Sequence, residues 1–376
     1  MKNNHNKFSI FSRKKVLVTG HTGFKGSWLT AWLIKLNADV VGISLIDLPS
    51  KPCNFEVMSL DQKIKEYRVD IADYELIKNI IHTEKPDYIF HMAAQALVRL
   101  SYAEPMKTMF TNAIGTVGVL DALRNYEGKV VAVFITSDKA YDNVEQLEGY
   151  NEENTIGGKD PYSASKGMAE LAIKGYFESF LKSKNQEIRI GIARAGNVIG
   201  GGDWALDRIV PDSMKAWAEN EVVEIRSPNS TRPWQHVLEP LSGYLTLAEN
   251  LTQSSENNGQ PYNFGPPDNQ DFSVKELIDE MTKYWSSVKW KDVSNSKDNP
   301  HEAGLLKLNC EKALSQLNWE PTMNFEQTVK MTTAWYKEFY SANESNMYEY
   351  TLGQIEEYEL LAKKLLRVWS NGNENE

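Results

Sequence analysis

Residues 15–44 constrain the fold more than any other part of the chain, because they form one strand–helix–strand pattern. Lys15–Thr19 is a short apolar run that ends in a glycine-rich turn. Apolar side chains then recur at helical spacing from Phe24 to Leu36, and a second apolar run covers residues 38–44. Strand, helix and strand within about 30 residues is the length of one parallel crossover unit. The chain is therefore predicted to begin with two parallel strands joined by a helix.

The same alternation of strand and helix continues through the first half of the chain. Apolar runs predict further strands near 64–69, 88–92, 130–135 and 188–192, and helical patterns predict helices near 73–83, near 105–124 and from residue 162. Most of these strands are apolar along much of their length, which is typical of a parallel sheet covered on both faces. The predicted fold class is α/β, a Rossmann-like doubly wound parallel sheet.

Beyond residue 196 the pattern becomes mixed and predicts a smaller α/β lobe. Strand-like pieces at 222–225 and 261–264 alternate with helical patterns near 238–250, 273–285 and 324–341. The predicted organisation is a flexible N-terminal tail at 1–13, a first domain at 14–196, a second lobe at 197–343 and an acidic helical tail at 344–376. We also expect that a strand or helix from the second lobe can join the first domain.

Composition and charge narrow the classes of function. The 376 residues include 41 Lys+Arg and 51 Asp+Glu, a formal net charge of −10, which gives no net attraction to nucleic acid or anionic lipid. No apolar run reaches the roughly 18–20 residues of a membrane span, and the start has no signal-peptide pattern. Cys53 and Cys310 form neither a disulfide framework nor a CxxC metal pair. We expect a cytoplasmic protein with no metal site and no nucleic-acid or membrane partner.

The glycine-rich turn after the first strand predicts a dinucleotide site. Gly20, Gly23 and Gly26 give the spacing G-x-x-G-x-x-G between strand and helix, a variant of the dehydrogenase fingerprint. Backbone N–H groups of this turn, which includes Phe24 and Lys25, would meet a pyrophosphate at the positive end of the helix. The alternative is that three glycines merely form a turn. We favour the dinucleotide, which makes 14–196 the cofactor-binding domain.

The ends of the second and third strands bear on the choice between NAD and NADP. An acid about 20 positions after the glycines normally contacts the adenosine ribose, but here Ser44 ends the strand and the nearest acid is Asp47. No arginine is expected nearby to hold a 2′-phosphate, which favours NAD. Asp70 and Ile71 would lie near the adenine amino group; the alternative is that Asp70 only caps or turns into the next helix.

Tyr162 and Lys166 are the candidate pair for proton transfer. They lie four apart in a predicted helix and so project from one face, and an ammonium beside a phenol lowers the pKa of the phenol. Tyr74 and Lys78 have the same spacing without further context, so spacing alone decides little. Tyr162 is favoured because it follows both the dinucleotide turn and the strand that leads into Thr136.

Ser137, Asp138 and Lys139 follow the predicted strand at 130–135 and are candidate partners of Tyr162. The carboxyl ends of the strands face the crevice of an open α/β sheet, so these side chains should point at bound substrate. Ser137 can hydrogen-bond the hydroxyl that Tyr162 deprotonates. Asp138 and Lys139 add an acid/base pair that simple alcohol oxidation does not require; the alternative for them is a solvated Asp-Lys turn.

Ordered blocks of sequence resemble the extended short-chain dehydrogenase/reductase family, and within it the CDP-glucose 4,6-dehydratases. The blocks are TGHTGFKGSW at 19–28, HMAAQ at 91–95, LVR at 97–99, TSDK at 136–139, DPY at 160–162, RAGNVIGGGDW at 194–204 and RPWQHVLEPLSGY at 232–244. The likeness extends from about residue 15 to about 340. Departures at Ala96, Ala140 and Ala164 bear on the identity of the substrate more than on the chemistry.

The resemblance implies a lyase that converts CDP-glucose to CDP-4-keto-6-deoxyglucose and water with an NAD that is not consumed. Tyr162 would take the proton of the carbon 4 hydroxyl, while Lys166 holds the nicotinamide ribose and Ser137 orients the hydroxyl. The 4-keto group acidifies carbon 5, and Asp138 would protonate the hydroxyl that leaves carbon 6. Lys139 is either the base at carbon 5 or a charge that stabilises the enolate.

The resemblance also implies further contacts with the cofactor and the nucleotide sugar. Ala93 and Ala94 would line the cofactor, and Asn112 belongs to the helix beside the site. The implied substrate-binding residues are Gln95, Arg99, Asn197, Arg208, Arg232 and His236. Arginine suits a pyrophosphate because its planar fork meets phosphate oxygens in pairs; surface or helix-cap roles are the alternative for the last four. A homodimer or a pair of dimers is expected.

Three other functions stay open on the sequence: a dehydratase of another nucleotide sugar, a nucleotide-sugar 4-epimerase, and a non-catalytic dinucleotide-binding scaffold. An epimerase would share Tyr162 and Lys166 but has no need of Asp138 as a proton donor. The intact set of Ser137, Tyr162 and Lys166 argues against a scaffold.

Overall fold

A seven-stranded parallel sheet forms the centre of the molecule. The computed structural model describes residues 7–184, 187–267, 270–285, 288–294, 306–341 and 345–371. The strands, in chain order, are β1 (Lys15–Thr19), β2 (Asp39–Ser44), β3 (Lys65–Arg68), β4 (Tyr88–His91), β5 (Val130–Ile135), β6 (Ile188–Ala195), β7 (Val198–Ile199), β8 (Val223–Ile225), β9 (Thr231–Arg232), β10 (Gln235–His236), β11 (Pro261–Phe264), β12 (Phe272–Ser273) and β13 (Trp290–Asp292).

Helices cover both faces of this sheet and build the second lobe. They are α1 (Phe24–Lys35), α2 (Asn54–Val57), α3 (Tyr74–Glu84), α4 (Val98–Ala103), α5 (Pro105–Met109), α6 (Gly115–Arg124), α7 (Pro161–Tyr176), α8 (Ile209–Ala218), α9 (Leu238–Gln253), α10 (Val274–Thr282), α11 (Glu311–Leu317), α12 (Phe325–Tyr340) and α13 (Met347–Lys364). A π-helical turn at Phe110–Ile114 joins α5 to α6, and another at Phe177–Leu181 extends α7.

The strand order of the central sheet is β11-β6-β5-β4-β1-β2-β3. The chain runs outward from β1 through β2 to β3, then returns to β4 on the other side of β1 and continues outward. The order therefore reverses between β1 and β4, and a crevice for a ligand opens at the carboxyl ends of strands at such a point. The predicted α/β class with a doubly wound parallel sheet is confirmed.

Two apolar clusters explain why the strands are buried on both faces. One contains Trp28 and Leu29 of α1 together with Leu241 of α9, and the other contains Ile77 of α3 and Val119 of α6. Burial of apolar surface is the main stabilising contribution in such a layered fold. The glycine turn, the ends of β4 and β5 and the start of α7 are thereby held at one rigid edge.

The last strand of the sheet comes from the second lobe. β11 pairs in parallel with β6, with Pro261 beside Ile192, although more than sixty residues separate the two strands. The rest of the lobe contains three small sheets that pair β7 with β10, β9 with β12 and β8 with β13. The central sheet thus draws one strand from beyond residue 196.

The two ends of the described chain pack against α1. Phe8 and Phe11 are buried, and the ring of Phe8 stacks on Trp369 with centroids 6.1 Å apart. Glu359 of α13 accepts a hydrogen bond of 2.8 Å from the indole of Trp32. The prediction of a flexible tail is therefore wrong for residues 7–13, because two aromatic side chains anchor them; residues 1–6 lie outside the described residues. Among the described residues, no helix is long and apolar enough to cross a membrane.

Candidate active site

The glycine turn between β1 and α1 is too tight for side chains. Gly20 has φ +74°, and a Cβ atom on Gly26 would lie 2.1 Å from the carbonyl oxygen of Gly20. Gly23 caps α1 without a side-chain hydrogen bond, so the first N–H groups of the helix have no side-chain cap. An anion is the natural partner for such a helix start. The turn therefore fits the pyrophosphate of a dinucleotide.

A buried histidine, which the sequence reasoning did not single out, ties this turn to the next strand ends. Thr19 Oγ1 accepts hydrogen bonds of 3.1 Å from the N–H groups of Met92 and Ala93, so its own proton is directed at His91 Nδ1, 2.9 Å away. His91 Nε2 then donates to Thr116 Oγ1 at 3.0 Å. Burial lowers the pKa of His91 to about 3, which keeps the ring neutral. The signal in the sequence that could have identified His91 is a histidine at the end of an apolar strand.

Tyr162, Ser137 and Asp138 come together at the edge formed by β5 and α7, and Lys166 lies one helical turn beyond Tyr162 in α7. All four are between 4% and 7% exposed, so bulk water is largely excluded. Ser137 hydrogen-bonds Tyr162 and donates to Asp138 Oδ1 at 2.9 Å. Asp160 caps α7 by accepting from the N–H of Ser163 at 3.0 Å, which fixes the start of the helix. Ser137 thus stands between a phenol and a carboxyl group.

Burial shifts the pKa values of Tyr162 and Lys166 toward their neutral forms. The pKa of Tyr162 is raised to about 12 by burial, against its hydrogen bond with Ser137 and the charge of Arg208. The pKa of Lys166 is lowered to about 8 by burial, against the charge of Glu170. The pKa of Tyr162 is therefore raised rather than lowered as expected, because its buried phenolate loses more solvation than Ser137 and Arg208, the neighbours that lower this pKa, restore.

Asp138 has the opposite character from an ordinary surface carboxylate. Burial raises its pKa, against the charge of Lys139 and hydrogen bonds from Ser137 and the N–H of Lys139. The backbone bond from Lys139 is 2.9 Å long. A Cβ atom on Gly196 would lie 3.0 Å from Asp138 Oδ2, so glycine leaves room for this oxygen. A carboxyl group with a raised pKa is suited to give up a proton.

Lys25 and Arg208 bring positive charge to the same place. The pKa of Lys25 is lowered to about 8 by burial and then by Arg208, while Asp138 raises it. Arg208 Nη1 pairs with Asp203 Oδ2 at 2.7 Å, which raises the pKa of Arg208. Lys25, predicted in the glycine turn, therefore reaches toward the catalytic candidates.

No group of three or more His, Cys, Asp or Glu side chains suited to a metal occurs in the described part of the chain.

Asn112 and Gln95 brace the site from behind. Asn112 Nδ2 donates to Ser165 Oγ at 2.8 Å and to the carbonyl of Gln95 at 3.0 Å, while its Oδ1 accepts from the N–H of Gln95. Gln95 Nε2 donates to Thr108 Oγ1 at 2.9 Å. These amides hold the loop of Ala93 and half-buried Ala94 against α7. Both side chains are engaged within the protein rather than directed at the crevice.

The adenosine end of the crevice differs from the expectation in one respect. Ser44 pairs with Thr22 across 2.6 Å, and Arg68 lies beside it because β3 pairs with β2 in register Ser44 to Arg68. The expectation that no arginine stands nearby is therefore wrong, since strand pairing brings together residues distant in sequence. Arg68 is engaged by Glu66 at 3.0 Å. Asp70 is exposed and closes a turn to the N–H of Ala72, and Ile71 is buried against Gly115.

The remaining predicted substrate residues fall into two groups. Arg99, Arg232 and Asn197 are at least partly exposed, whereas His236 is fully buried. Arg99 of α4 forms an exposed ion pair with Asp207 at 2.9 Å. Arg232 is half-buried in β9, and Asn197 follows β6 and accepts a bond from the N–H of Gln235. His236 lies in the core: its ring has no exposed surface and packs edge-on to Trp28 at 5.6 Å. The expectation that His236 contacts substrate does not agree with this burial.

A cavity of about 440 Å³ lies in the second lobe, apart from the catalytic candidates. Its lining residues are Arg226, Ser227, Pro228, Asn229, Ser230, Thr231 and Ser294. Arg226 also pairs with Asp207 at 3.3 Å, so the cavity adjoins the ion pair of Arg99.

Comparison with known proteins agrees with this geometry. The family model described as GDP-mannose 4,6 dehydratase matches residues 17–332. The chain belongs to that family. The CDP-glucose 4,6-dehydratase of Salmonella typhimurium is 45% identical over 333 residues, which is 88% of this chain and 92% of that protein. The predicted family resemblance is confirmed, and the match covers the described active-site edge and most of the second lobe.

Solved structures of this family's fold are also similar. The UDP-glucose 4-epimerase of Thermotoga maritima has a TM-score of 0.72 and 23% identity, covering 87% of this chain and 100% of that chain. DesIV, the dTDP-glucose 4,6-dehydratase of Streptomyces venezuelae, was solved with NAD bound and has a TM-score of 0.70 and 22% identity, covering 86% and 97%. At such identities the likeness establishes the fold alone.

Proposed function

We propose that the protein is a CDP-glucose 4,6-dehydratase, which converts CDP-glucose to CDP-4-keto-6-deoxyglucose and water. The observation that carries the proposal is the convergence of Tyr162, Ser137 and Asp138 at one water-poor edge. Alcohol oxidation needs a proton acceptor beside the hydroxyl, and loss of water needs a proton donor close by. The 45% identity to the Salmonella enzyme supports cytidine as the nucleoside.

The glycine turn would hold the pyrophosphate of NAD. The first N–H groups of α1 lack a side-chain cap, and Gly20, Gly23 and Gly26 let a phosphate approach them. Ala93 and Lys166 would lie along the nicotinamide half. When bound, NAD supplies a hydride acceptor for carbon 4 and a hydride donor for carbon 6, so it is unchanged after each cycle.

Tyr162 would take the proton of the carbon 4 hydroxyl. Burial raises its pKa to about 12, so the free phenol is protonated near neutral pH and must first release its proton to solvent before it can accept the hydroxyl proton. Ser137 shares a hydrogen bond with the phenol and can align the same hydroxyl. Lys166, whose pKa is about 8, is largely protonated near neutrality and would stabilise the phenolate that forms.

Asp138 would complete the loss of water. After oxidation, the 4-keto group acidifies the hydrogen on carbon 5; its proton leaves, and the carbon 6 hydroxyl departs as water with the proton of Asp138. Burial raises the pKa of Asp138, which favours the protonated carboxyl group that this step requires. Lys139 would face carbon 5, as the base or as a charge that stabilises the enolate. Hydride return to carbon 6 and a proton to carbon 5 then give the 6-deoxy product.

The nucleotide would extend toward the second lobe. Arg208 lies beside Tyr162 and would meet the pyrophosphate of the sugar nucleotide, with Arg232, Asn197 and Arg99 further along the crevice. A guanidinium suits this task because it can contact two phosphate oxygens at once. The cavity of about 440 Å³ beside Arg226 would then receive the base.

The mass of the product tests the proposal. Incubation with NAD⁺ and CDP-glucose should give a product lighter by one water, and the Tyr162→Phe variant should give almost none. A product of unchanged mass with an inverted carbon 4 would instead identify an epimerase. Faster water loss from a glucose nucleotide of another base, in a panel of nucleoside-diphosphate glucoses, would overturn the assignment of cytidine.

We also propose a cytoplasmic homodimer. Met106, Phe110 and Ile114 recur every four residues on α5 and its π-helical extension, and they are 67%, 50% and 45% exposed. Leu171 is 62% exposed on α7, a helix that packs against α5 and this extension, and exposed apolar side chains grouped in this way are typical of a protein interface. Light scattering should report a dimer that the Phe110→Glu variant disrupts. Within the described residues neither Cys53 nor Cys310 forms a disulfide, which suits a reducing compartment.

A further inference from the structure

Glu170 is a buried carboxylate one helical turn beyond Lys166 in α7. Only 3% of its side chain is exposed. Residues four apart in a helix lie on the same face, so the Glu170 carboxylate and the Lys166 ammonium share the buried side of α7. A carboxylate in such a place stays ionised only if other groups compensate for the lost water.

Arg194 and Thr136 compensate for the burial of Glu170. Arg194 in β6 donates from Nε to Glu170 Oε1 at 2.7 Å and from Nη2 to Oε2, which is a two-bond contact. Thr136 donates its hydroxyl to Oε1 at 2.6 Å. Thr136 directly precedes Ser137. The carboxylate is therefore fixed from two strand ends, one of which carries the catalytic candidates.

The same arginine also holds the far side of the catalytic turn. Arg194 Nη1 donates to the hydroxyl of Tyr141 at 2.6 Å, and its guanidinium lies 4.7 Å from the centre of the Tyr141 ring. Tyr141 follows the turn at 138–140 and donates to Asn263 Oδ1 of β11 at 2.9 Å. The network thus surrounds the segment 136–141 on both sides.

Four groups face Lys166 from three elements. Tyr162 and Glu170 lie on α7, His91 ends β4, and Lys25 lies in the first turn of α1. Burial keeps His91 neutral, and Lys25 is a like charge that opposes the charge of Lys166. Among the groups described around Lys166, Glu170 is the carboxylate that favours its charged form.

We propose that Glu170 is a positioning residue that keeps Lys166 charged beside Tyr162, and that Arg194 and Thr136 hold its carboxylate in place. This rests on the proposed function, in which Lys166 supports the phenolate of Tyr162. In the Glu170→Gln variant Lys166 would face Lys25 and an unpaired Arg194. It would therefore release its proton at lower pH, and Tyr162 would be harder to ionise.

The pH profile of kcat/KM on CDP-glucose tests this proposal. In Glu170→Gln the alkaline limb, the pH range in which kcat/KM falls, should shift to lower pH by about one pH unit or more. A pKa shift of one unit corresponds to the loss of a modest charge interaction. Glu170→Asp, which keeps the charge, should keep the wild-type limb. Glu178→Gln is the matched control, because Glu178 forms only an exposed pair with Lys182 on the same helix; its limb should not move.

A double variant keeps the test decisive where the single variant does not fold. Glu170→Gln with Arg194→Met removes both partners of the buried ion pair and so leaves no unpaired arginine, and its alkaline limb should still lie below that of the wild type. Folded variants that lose only the plateau rate, with both limbs in place, would show that the pair is merely structural and would overturn the proposal.

A direct measurement separates this proposal from the assignment of substrate. The pKa of Lys166 can be followed by NMR of ¹³C-labelled lysine, assigned with Lys166→Arg, and needs no turnover. A lowered Lys166 pKa in Glu170→Gln supports the proposal even if CDP-glucose is not the substrate. An unchanged pKa refutes it even if the enzyme dehydrates CDP-glucose.

Discussion

The Asp138→Asn substitution should separate the two halves of the proposed reaction. An asparagine Oδ1 can still accept the hydrogen bonds from Ser137 and from the N–H of Lys139, both 2.9 Å long. Gly196 leaves the other side-chain position uncrowded enough for an amide. The geometry at Tyr162 should therefore persist, while the proton that departs with the hydroxyl is lost.

The expected size of the effect follows from this division. A positioned general acid contributes about 10²–10⁴-fold, which corresponds to about 3–5 kcal/mol in the barrier. Water loss should slow by that factor, whereas oxidation at carbon 4 should change several-fold at most. The variant should then accumulate reduced nicotinamide, visible in its absorbance, before any product lighter by one water appears.

Rapid mixing with absorbance detection, together with quenched samples for mass spectrometry, measures both steps. Asp142→Asn is a matched control four residues along the same loop and should behave like the wild type. Water loss at the wild-type rate would remove Asp138 from the acid role. Equal loss of both steps would show that the carboxyl group serves the geometry of Tyr162 instead.

Three further predictions concern pH and stability. Activity should fall as the pH rises through about 8, because burial sets the pKa of Lys166 near that value and its ammonium is lost above it; a kcat/KM that stays level well above pH 8 would contradict this. Gly26→Ala should weaken NAD⁺ binding in calorimetry and cost about 1–3 kcal/mol in urea unfolding, because its Cβ would lie 2.1 Å from a backbone oxygen. Gly353→Ala, in open space on α13, should stabilise by about 0.4–1 kcal/mol instead. Phe11→Ala should lower the free energy of unfolding by about 3–5 kcal/mol, because the ring is fully buried; an effect below about 1 kcal/mol would restore the flexible-tail interpretation.

Local patterns were sufficient for most elements of the first domain. The predicted strands at 130–135 and 261–264 have the bounds of β5 and β11. The short helices α4, α8 and α11 were missed because ten residues or fewer give little periodicity to read. That β11 completes the central sheet could not be read from its sequence, since strand pairing depends on contacts far apart in the chain.

Site residues could be predicted where a side chain suited to the reaction also lies at a position that the fold class brings to the crevice. Tyr162 and Ser137 meet because a helix start and a strand end are forced to the same edge of a parallel sheet. Arg68 and His236 were misjudged because neighbours from other elements decide their surroundings: strand register puts one beside Ser44, and the aromatic ring of Trp28 buries the other. Glu170 carries no motif, and only its contacts reveal it.

The charge of the site contrasts with the charge of the chain. The net charge of −10 excludes broad attraction to anions, yet Lys25, Lys166 and Arg208 converge where burial raises the pKa of Asp138 and Asp203 is already paired with Arg208. A site that is locally cationic favours a diphosphate and the enolate that forms from it, and the acidic remainder of the surface does not compete for that ligand. Because Lys25 and Lys166 both lose their protons near pH 8, substrate affinity and the rate of oxidation should decline over the same pH range. If the KM for CDP-glucose stays constant while kcat falls through this range, the two ammonium groups act in the chemical step alone. That result would contradict their shared role in substrate binding.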